Sequence, residues 1–424
     1  VLIFNMVLLL ILLFIGMPIG FVLLAVGSLG VFLFSGYDTL QGILSTTAYR
    51  SVNSFVFSAV PLFILMAHFI SKSRIADDLF GCVLKWVGHT PGGAGVSTVF
   101  ASAGFGALSG SSVAAASVMS EIAVPKMIEA KYPPHLAAGL VATSTGTLAA
   151  LIPPSIPLIL YGIQTENSIG KLLMAGIIPG LLVALLLSIS VVLLGIKNNS
   201  KTEKYSWKER WLSLKLIWPA VLLILIVVTV IYSGIATPTE ASAFGAFGAL
   251  VIGLSLKRLK VSQITEALMT TVKQTAMIFV IVVGAQVFAY YITLTRIGNA
   301  ILESISNSGF PSWVILLFVI LLYLIVGLFL EVIGAMLLTL PLVYPLIIGL
   351  GYDPIWFGIV LVILLEIGLV TPPVGMNLFI TSQHSGIPVH KVFIGSLPFI
   401  GVLLFSIVIL ILFPQIVLFL PALM

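Results

Sequence analysis

Charge is what this sequence has least of. Lys, Arg, Asp and Glu make up 8% of its 424 residues, against about 25% in soluble globular chains, so a water-facing surface over the whole chain is excluded. Cysteine is almost absent. The lone Cys82 excludes an internal disulfide, and no Cys/His cluster has the spacing of a metal site. There is no soluble domain and no low-complexity tract. The longest polar stretch is KNNSKTEKYSWKER, Lys197 to Arg210. No nucleic-acid partner and no organic cofactor are expected. What is abundant is apolar: 60% of residues are hydrophobic, mean hydropathy is +1.25, and runs approaching the length of a membrane span, about 20 residues, recur throughout. The expectation is an all-α polytopic membrane protein. The first run, Val1 to Ile15, lacks a charged n-region and a small-residue cleavage site, so it reads as a span and not a signal peptide.

Proline, the residue that breaks helices by losing an N–H and clashing with the previous turn, reveals an internal repeat. At a shift of 220, Pro18 meets Pro238, Pro91 meets Pro311, Pro125 meets Pro345, and Tyr132 and Pro134 meet Tyr352 and Pro354. At a shift of 219, the diproline Pro153-Pro154 meets Pro372-Pro373, and Gly176 and Pro179 meet Gly395 and Pro398. Ordered matches at near-constant spacing divide the chain into 1–196 and 213–424, joined by a basic linker, 197–212.

Each half reads the same way. Spans at Val1–Ile15, Phe21–Phe34 and Phe55–Ile70 match Leu216–Tyr232, Thr239–Leu256 and Thr275–Leu294. A polar stretch follows, Ser71–His89, with Ile75, Leu79, Val83, Trp86 and Val87 at helical spacing, an interfacial amphipathic helix. The Gly/Ser-rich segment Ala94–Ile128 is too short for two spans and a turn, so it reads as a re-entrant hairpin packed through small residues. A diproline-broken helix and a final span, Leu172–Leu194 matching Val392–Phe413, complete the half. Five crossings per half make the second half inverted. With the linker inside, 16 of the 19 Lys and Arg residues fall inside, as the positive-inside rule requires.

Two opposed hairpins and two broken helices converging at mid-membrane form the arrangement of secondary transporters. A broken helix frees carbonyls for a hard cation such as Na⁺ at one end and N–H groups for an anion at the other. The cation-binding assignment is Ser109, Ser112, Thr145, Gly146, Gly334, Gly368 and Thr371. The substrate-binding assignment is Ser111, Ser144, Thr147, Ser155, Glu331 and Asn377. Pro153, Pro154, Pro372 and Pro373 break the helices and bind nothing themselves. No catalytic residue and no metal beyond Na⁺ is expected. Glu240, in TPTEA, reads as a helix cap, whereas Glu331 and Glu366 read equally as ligands or as structural acids. His68 reads as a packing residue. A buried serine nucleophile in GALSG would need His68 or His384 as base, and the sequence offers neither a recognisable partner.

GALSGSSVAAASVM, STGTLAALIPPSIPLILYG, TPTEASAFGA, LFLEVIGAMLLTLPLVYP and EIGLVTPPVGMNLF, in that order, resemble the motifs of the large membrane subunit of tripartite ATP-independent periplasmic (TRAP) transporters, most closely the sialic acid-specific members. The resemblance runs the full chain. It implies the ion transporter superfamily and an elevator mechanism. The scaffold would be 1–70 and 213–295, the arm helices 71–90 and 296–310, and the transport part 91–196 and 311–424. It implies Na⁺ as coupling ion and a small four-helix Q-type membrane subunit. It also implies a P-type periplasmic binding protein delivering an organic acid, and a multi-pass place in the bacterial inner membrane. Sialic acid is the substrate expected, with C4-dicarboxylates or other sugar acids as alternatives and a passive anion channel as the rival mechanism.

Overall fold

The computed structural model describes residues 1–198, 204–298, 300, 303 and 309–424, and among them no strand occurs. The arm helix expected over 296–310 lies largely outside the described residues, as do linker residues 199–203. In the first half the helices are α1 (Leu2–Phe14), α2 (Ile19–Ser35), α3 (Tyr37–Val52), α4 (Ala59–Lys72), α5 (Ile75–Val87), α6 (Gly93–Ser109), α7 (Ser112–Glu129), α8 (Pro134–Leu151), α9 (Ile156–Thr165) and α10 (Ile169–Asn198). In the second half they are α11 (Trp207–Leu214), α12 (Trp218–Tyr232), α13 (Pro238–Ser255), α14 (Val261–Thr295), α15 (Ser312–Gly327), α16 (Val332–Gly349), α17 (Pro354–Leu369), α18 (Met376–Ser385), α19 (Val389–Leu412) and the short α20 (Gln415–Leu418).

Among the described residues, five helices are long and apolar enough to cross a bilayer alone, and two bent pairs, α8 with α9 (43°) and α11 with α12 (45°), reach that length together. Of the remaining expected crossings, 1–15, 21–34 and the one that runs into the second diproline correspond to the shorter apolar helices α1, α2 and α17, and 239–256 corresponds to the 18-residue α13; α15 and α16 are the arms of the second hairpin. One element was not anticipated. Residues 37–52 form a separate helix, α3, which carries no fully apolar face and exposes Tyr37 and Tyr49. The chain then turns at Asn53 and Ser54 before α4. The matching stretch of the second half runs unbroken through the 35-residue α14, so the span expected at 275–294 is only the C-terminal part of a longer helix.

Two helices are buried on every face, and apart from Thr143–Thr147 in one and Glu366 in the other they are apolar all round, as helices enclosed by protein are. α8 is buried from Ala137 to Leu151, and α17 from Trp356 to Leu369. Each runs directly into a diproline. α8 stops at Leu151 and the chain resumes as α9 at Ile156; α17 stops at Leu369 and resumes as α18 at Met376. Both proline pairs have cis peptide bonds.

Small residues bring the surrounding backbones into contact. A Cβ on Gly106 would stand 2.7 Å from the Ala149 Cα, and one on Gly368 would stand 2.3 Å from the Gly327 carbonyl carbon. Thus α6 crosses α8 as α15 crosses α17. Across the halves, a Cβ on Gly139 of α8 would lie 2.1 Å from the Gly395 carbonyl carbon of α19. A second seam joins α2 to α14, where Cβ atoms on Gly20 and Gly27 would fall 2.9 Å and 2.7 Å from the nitrogens of Ile281 and Phe288. Asn5 of α1 adds a buried hydrogen bond to Tyr291 of that seam, Nδ2 donating to the phenol oxygen at 3.1 Å.

Candidate functional site

The tips of α6–α7 and α15–α16 and the residues flanking both helix breaks line a cavity of about 620 Å³. One wall is the α2–α14 seam, with Pro18–Phe21, Gln274, Met277 and Ile281. The opposite wall carries Gly110–Val113 of the first tip, Glu331–Ile333 of the second, Ile156 and Pro157 after the first break, and Leu369 and Met376 around the second.

Each tip is tied to the break of its own half through the backbone. The Ile156 N–H donates to the Gly110 carbonyl at 3.1 Å, and the Val374 N–H donates to the Leu328 carbonyl at 3.2 Å. Gly110 is needed at the first tie: its φ is +60° and a Cβ would stand 2.5 Å from the Pro154 carbonyl oxygen. Ser111 caps α7, accepting from the Ala114 N–H at 3.5 Å, and the Ser109 hydroxyl bonds both the N–H and the carbonyl of Ser111 at 3.2 Å. The positive end of α7 therefore opens on the cavity wall, where a carboxylate is favoured.

Behind this wall lies a polar knot made from both halves. The Ser112 hydroxyl donates to Oε1 of Glu366, a fully buried carboxyl on α17. Asn377 of α18 donates its Nδ2 to Glu366 Oε2 at 3.4 Å, and Asn377 Oδ1 has no partner. Gly146 of α8 makes the room: a Cβ there would stand 2.3 Å from Asn377 Nδ2 and 2.7 Å from Glu366 Oε2. Next to it in sequence, Thr145 shares a hydrogen bond of 2.9 Å with Ser102 of α6. The Ser144 hydroxyl is buried without a partner. Thr143 and Thr147 spend their hydroxyls on the preceding turn, donating to the Gly139 and Thr143 carbonyls at 2.8 and 2.9 Å. Ser155 caps α9, accepting from the Leu158 N–H at 3.3 Å and donating to the Ala150 carbonyl.

The second tip is built differently. Glu331 stands at the start of α16 on the cavity wall, and its Oε1 is buried with no hydrogen-bond partner. Gly334 faces the seam, where a Cβ would meet the Ile19 side chain at 2.9 Å, and Gly368 sits in the crossing with Gly327. The Thr371 hydroxyl donates to the Ile367 carbonyl at 2.7 Å. Pro153 and Pro154 are buried, Pro372 and Pro373 are exposed, and neither pair lines the cavity.

Glu240 is a cap: it accepts from the Thr237 N–H at 2.7 Å in a reciprocal capping box. His68 shares a hydrogen bond of 3.1 Å with Gln274. His384 corrects the sequence expectation. It has partners from another helix, Glu121 at Nδ1 (2.7 Å) and Ser117 at Nε2 (3.0 Å), both on α7. Folding supplied what spacing could not display, a pair of residues 263 and 267 positions away. Ser109 makes its contacts with Ser111 instead of with either histidine.

Three site features escaped sequence reading. Ser102 sits in a stretch of small residues like any packing serine. Gln274 lies on a helix face that only the seam turns toward the cavity. Apart from Gln274, the α2–α14 wall is apolar and carries no polar signal. Among the described residues, no three His, Cys, Asp or Glu side chains group as a metal site.

Residues 6–416 match the family described as "Tripartite ATP-independent periplasmic transporter, DctM component". The chain is 36% identical to the C4-dicarboxylate TRAP transporter large permease protein DctM of Pseudomonas aeruginosa, over 93% of this chain and 92% of that one. It is 34% identical to the sialic acid TRAP transporter large permease protein SiaM of Vibrio cholerae, over 97% and 96%. Its fold is similar to the crystal structure of the Alcanivorax borkumensis YdaH transporter, with a TM-score of 0.66 and 16% identity over 94% of this chain and 98% of that one. The all-helical, multi-pass chain, with its ordered hairpin and diproline motifs, belongs to the DctM family of TRAP transporter large permeases.

Proposed function

We propose that the chain imports an organic acid across the bacterial inner membrane, driven by Na⁺, with a Q-type membrane subunit and a P-type periplasmic binding protein as partners. The observation that carries this reading is the cavity bounded on one side by the α2–α14 seam and on the other by both hairpin tips. In an elevator mechanism that apolar wall is the track, and the tips with α8, α9, α17 and α18 are the carrier. Residues 1–70 and 213–295 form the scaffold, and 91–196 and 311–424 the carrier.

An inverted repeat is supported by which residues meet. Groups expected inside pair with one another: Lys72 with Glu266 at 2.6 Å, Arg258 with Asp78, and Arg210 with His89 at 3.2 Å. The same expected topology puts Tyr161, Asn167, Tyr344 and Pro354 toward the outer face, and they meet as well: the Tyr161 hydroxyl donates to the Pro354 carbonyl at 2.7 Å, and Asn167 donates to the Tyr344 hydroxyl at 2.9 Å.

Na⁺, as transported substrate, suits the oxygens left over, since Asn377 Oδ1, Ser144 Oγ and Glu331 Oε1 are buried without a partner, and the buried Glu366 carboxyl beside Asn377 supplies a further oxygen pair. The substrate carboxylate suits the start of α7 at Ser111 and Ser112. The cavity wall has hydroxyls and no Lys, Arg or His, which fits one carboxylate on a polyol, such as sialic acid, better than two carboxylates. C4-dicarboxylates are the second reading, because the Pseudomonas aeruginosa relative bears that name.

Proteoliposomes holding the chain and both partners test the proposal. Sialic acid should accumulate against its gradient only when Na⁺ is higher outside. Uptake indifferent to Na⁺ removes the coupling, equilibration without accumulation replaces the carrier with a channel, and uptake of succinate in place of sialic acid moves the substrate.

A further inference from the structure

Away from the cavity, α5 and α11 meet in a corner rich in tryptophan and positive charge. Trp86 packs edge-on against Trp207 and Trp211, with ring centres 6.3 and 5.7 Å away. Trp207 and Trp211 are 65% and 61% exposed, on a helix that meets α12 at 45°. Exposed indoles on an amphipathic helix leading into a span belong at the headgroup level of a bilayer.

Arg210 sits in this corner, 5% exposed, its guanidinium 5.1 Å from the centre of the Trp207 ring and its Nη2 3.2 Å from His89 Nδ1. It makes no ion pair with a carboxylate among the described residues, and its Nε has no acceptor. The Trp86 indole nitrogen is buried and also lacks an acceptor. Arginine and indole nitrogens can only donate. Among the described residues these are the two buried side-chain nitrogens left without a partner, and they share one aromatic cluster. An orphaned donor calls for an acceptor. Glu209, the acid on α11, is already engaged with Ser206 in a capping box. Positive charge is in excess: His89 is held below its usual value by desolvation and then by Arg210 and Lys204. Lys208 and Lys215 border an open trough beside Trp211.

We propose that this corner docks the phosphate of an anionic phospholipid from the leaflet in which α11 lies. Lys208 and Lys215 attract the headgroup, Trp211 and Leu212 lie along the upper acyl chain, and the phosphate reaches the Arg210 and Trp86 donors by displacing the Trp207 ring outward. The occupant follows from charge complementarity: the corner offers donors and cations, and a phosphodiester offers acceptors and a negative charge.

Native mass spectrometry of the full-length protein in detergent, titrated with phosphatidylglycerol or phosphatidylcholine, tests this. Phosphatidylglycerol should bind about tenfold more tightly. Trp86→Phe, which keeps an aromatic ring at this position and removes the pyrrole half with its N–H, and Arg210→Lys should each erase most of that preference. If Arg210→Lys fails to fold, the surface pair Lys208→Gln/Lys215→Gln serves, with about fivefold weakening per lysine. Equal binding of the two lipids, or full preference retained in Trp86→Phe and in the lysine pair, overturns the proposal. Inorganic phosphate competing as well as the lipid assigns the corner to a soluble anion, and loss of lipid binding on adding the small membrane subunit assigns it to that partner; either result also overturns it.

Discussion

The Ser112 hydroxyl, at the tip of the first hairpin, donates to the buried Glu366 carboxyl on the helix that ends at the second diproline. The bond joins residues 254 positions apart and ties the halves at the place where the ion and substrate are proposed to bind. Ser112→Ala leaves one carboxyl oxygen without its donor, a loss of about 1–3 kcal/mol for a buried group. Glu366→Gln keeps the size and removes the charge. In both variants Na⁺ should stabilise the purified protein less against thermal unfolding than it does the unsubstituted chain, and Glu366→Gln should lose nearly all of that effect. Undiminished stabilisation by Na⁺ in Glu366→Gln places the ion elsewhere.

Gly146 tests the same knot from α8. A methyl group there overlaps Asn377 Nδ2 and Glu366 Oε2, and overpacking of this kind destabilises by about 1–3 kcal/mol. Gly146→Ala should reduce uptake at least tenfold. Gly104→Ala, whose Cβ would meet only Leu79 at 3.6 Å, should transport normally. Equal activity of the two variants shows that the knot has slack.

The junction between the proposed carrier and scaffold can be locked. A Cβ on Gly334 would stand 3.7 Å from the Ile19 Cβ, close to the spacing of about 3.8 Å found in disulfides. Ile19→Cys/Gly334→Cys should oxidise to a cross-link that stops uptake, and a reductant should restore it. Cys82 is buried and should add little background. Full transport by the cross-linked protein rules out sliding between the second tip and α2.

Glu331 separates two roles for an acid on the cavity wall. Glu331→Gln removes a charge whose Oε1 has no hydrogen-bond partner, so the fold should tolerate it. Half-saturation for Na⁺ or for substrate should rise severalfold in proteoliposome uptake, and whichever of the two rises names the ligand. Neither rising returns Glu331 to a structural part at the start of α16.

Much of this was legible in the sequence because proline and small polar residues carry their physics locally. The diprolines predicted two helix breaks, and breaks occur at both. TPTEA predicted a cap, and Glu240 is one. The serines at 109, 111 and 112 predicted a hairpin tip, and the chain turns there. What stayed hidden depends on contacts between distant parts of the chain. TSTGT reads as one polar cluster, yet its hydroxyls divide between back-bonding at Thr143 and Thr147 and a tertiary bond at Thr145. The glycines at 334 and 368 read like site residues, and only packing shows them beside Ile19 and Gly327. His384 looked solitary until folding brought α7 to it.

The glycine crossings carry a mechanical consequence. Where Gly106 meets Ala149, Gly327 meets Gly368 and Gly139 meets Gly395, backbone lies against backbone. No layer of side chains lies between them to lean, compress or change rotamer, so these crossings act as welds that hold the helices around α8 and α17 rigid relative to one another. Strain imposed on that rigid set has to appear at its boundary. Along the cavity that boundary is the face where Ile19, Met277 and Ile281 are aliphatic, deformable and free to slip.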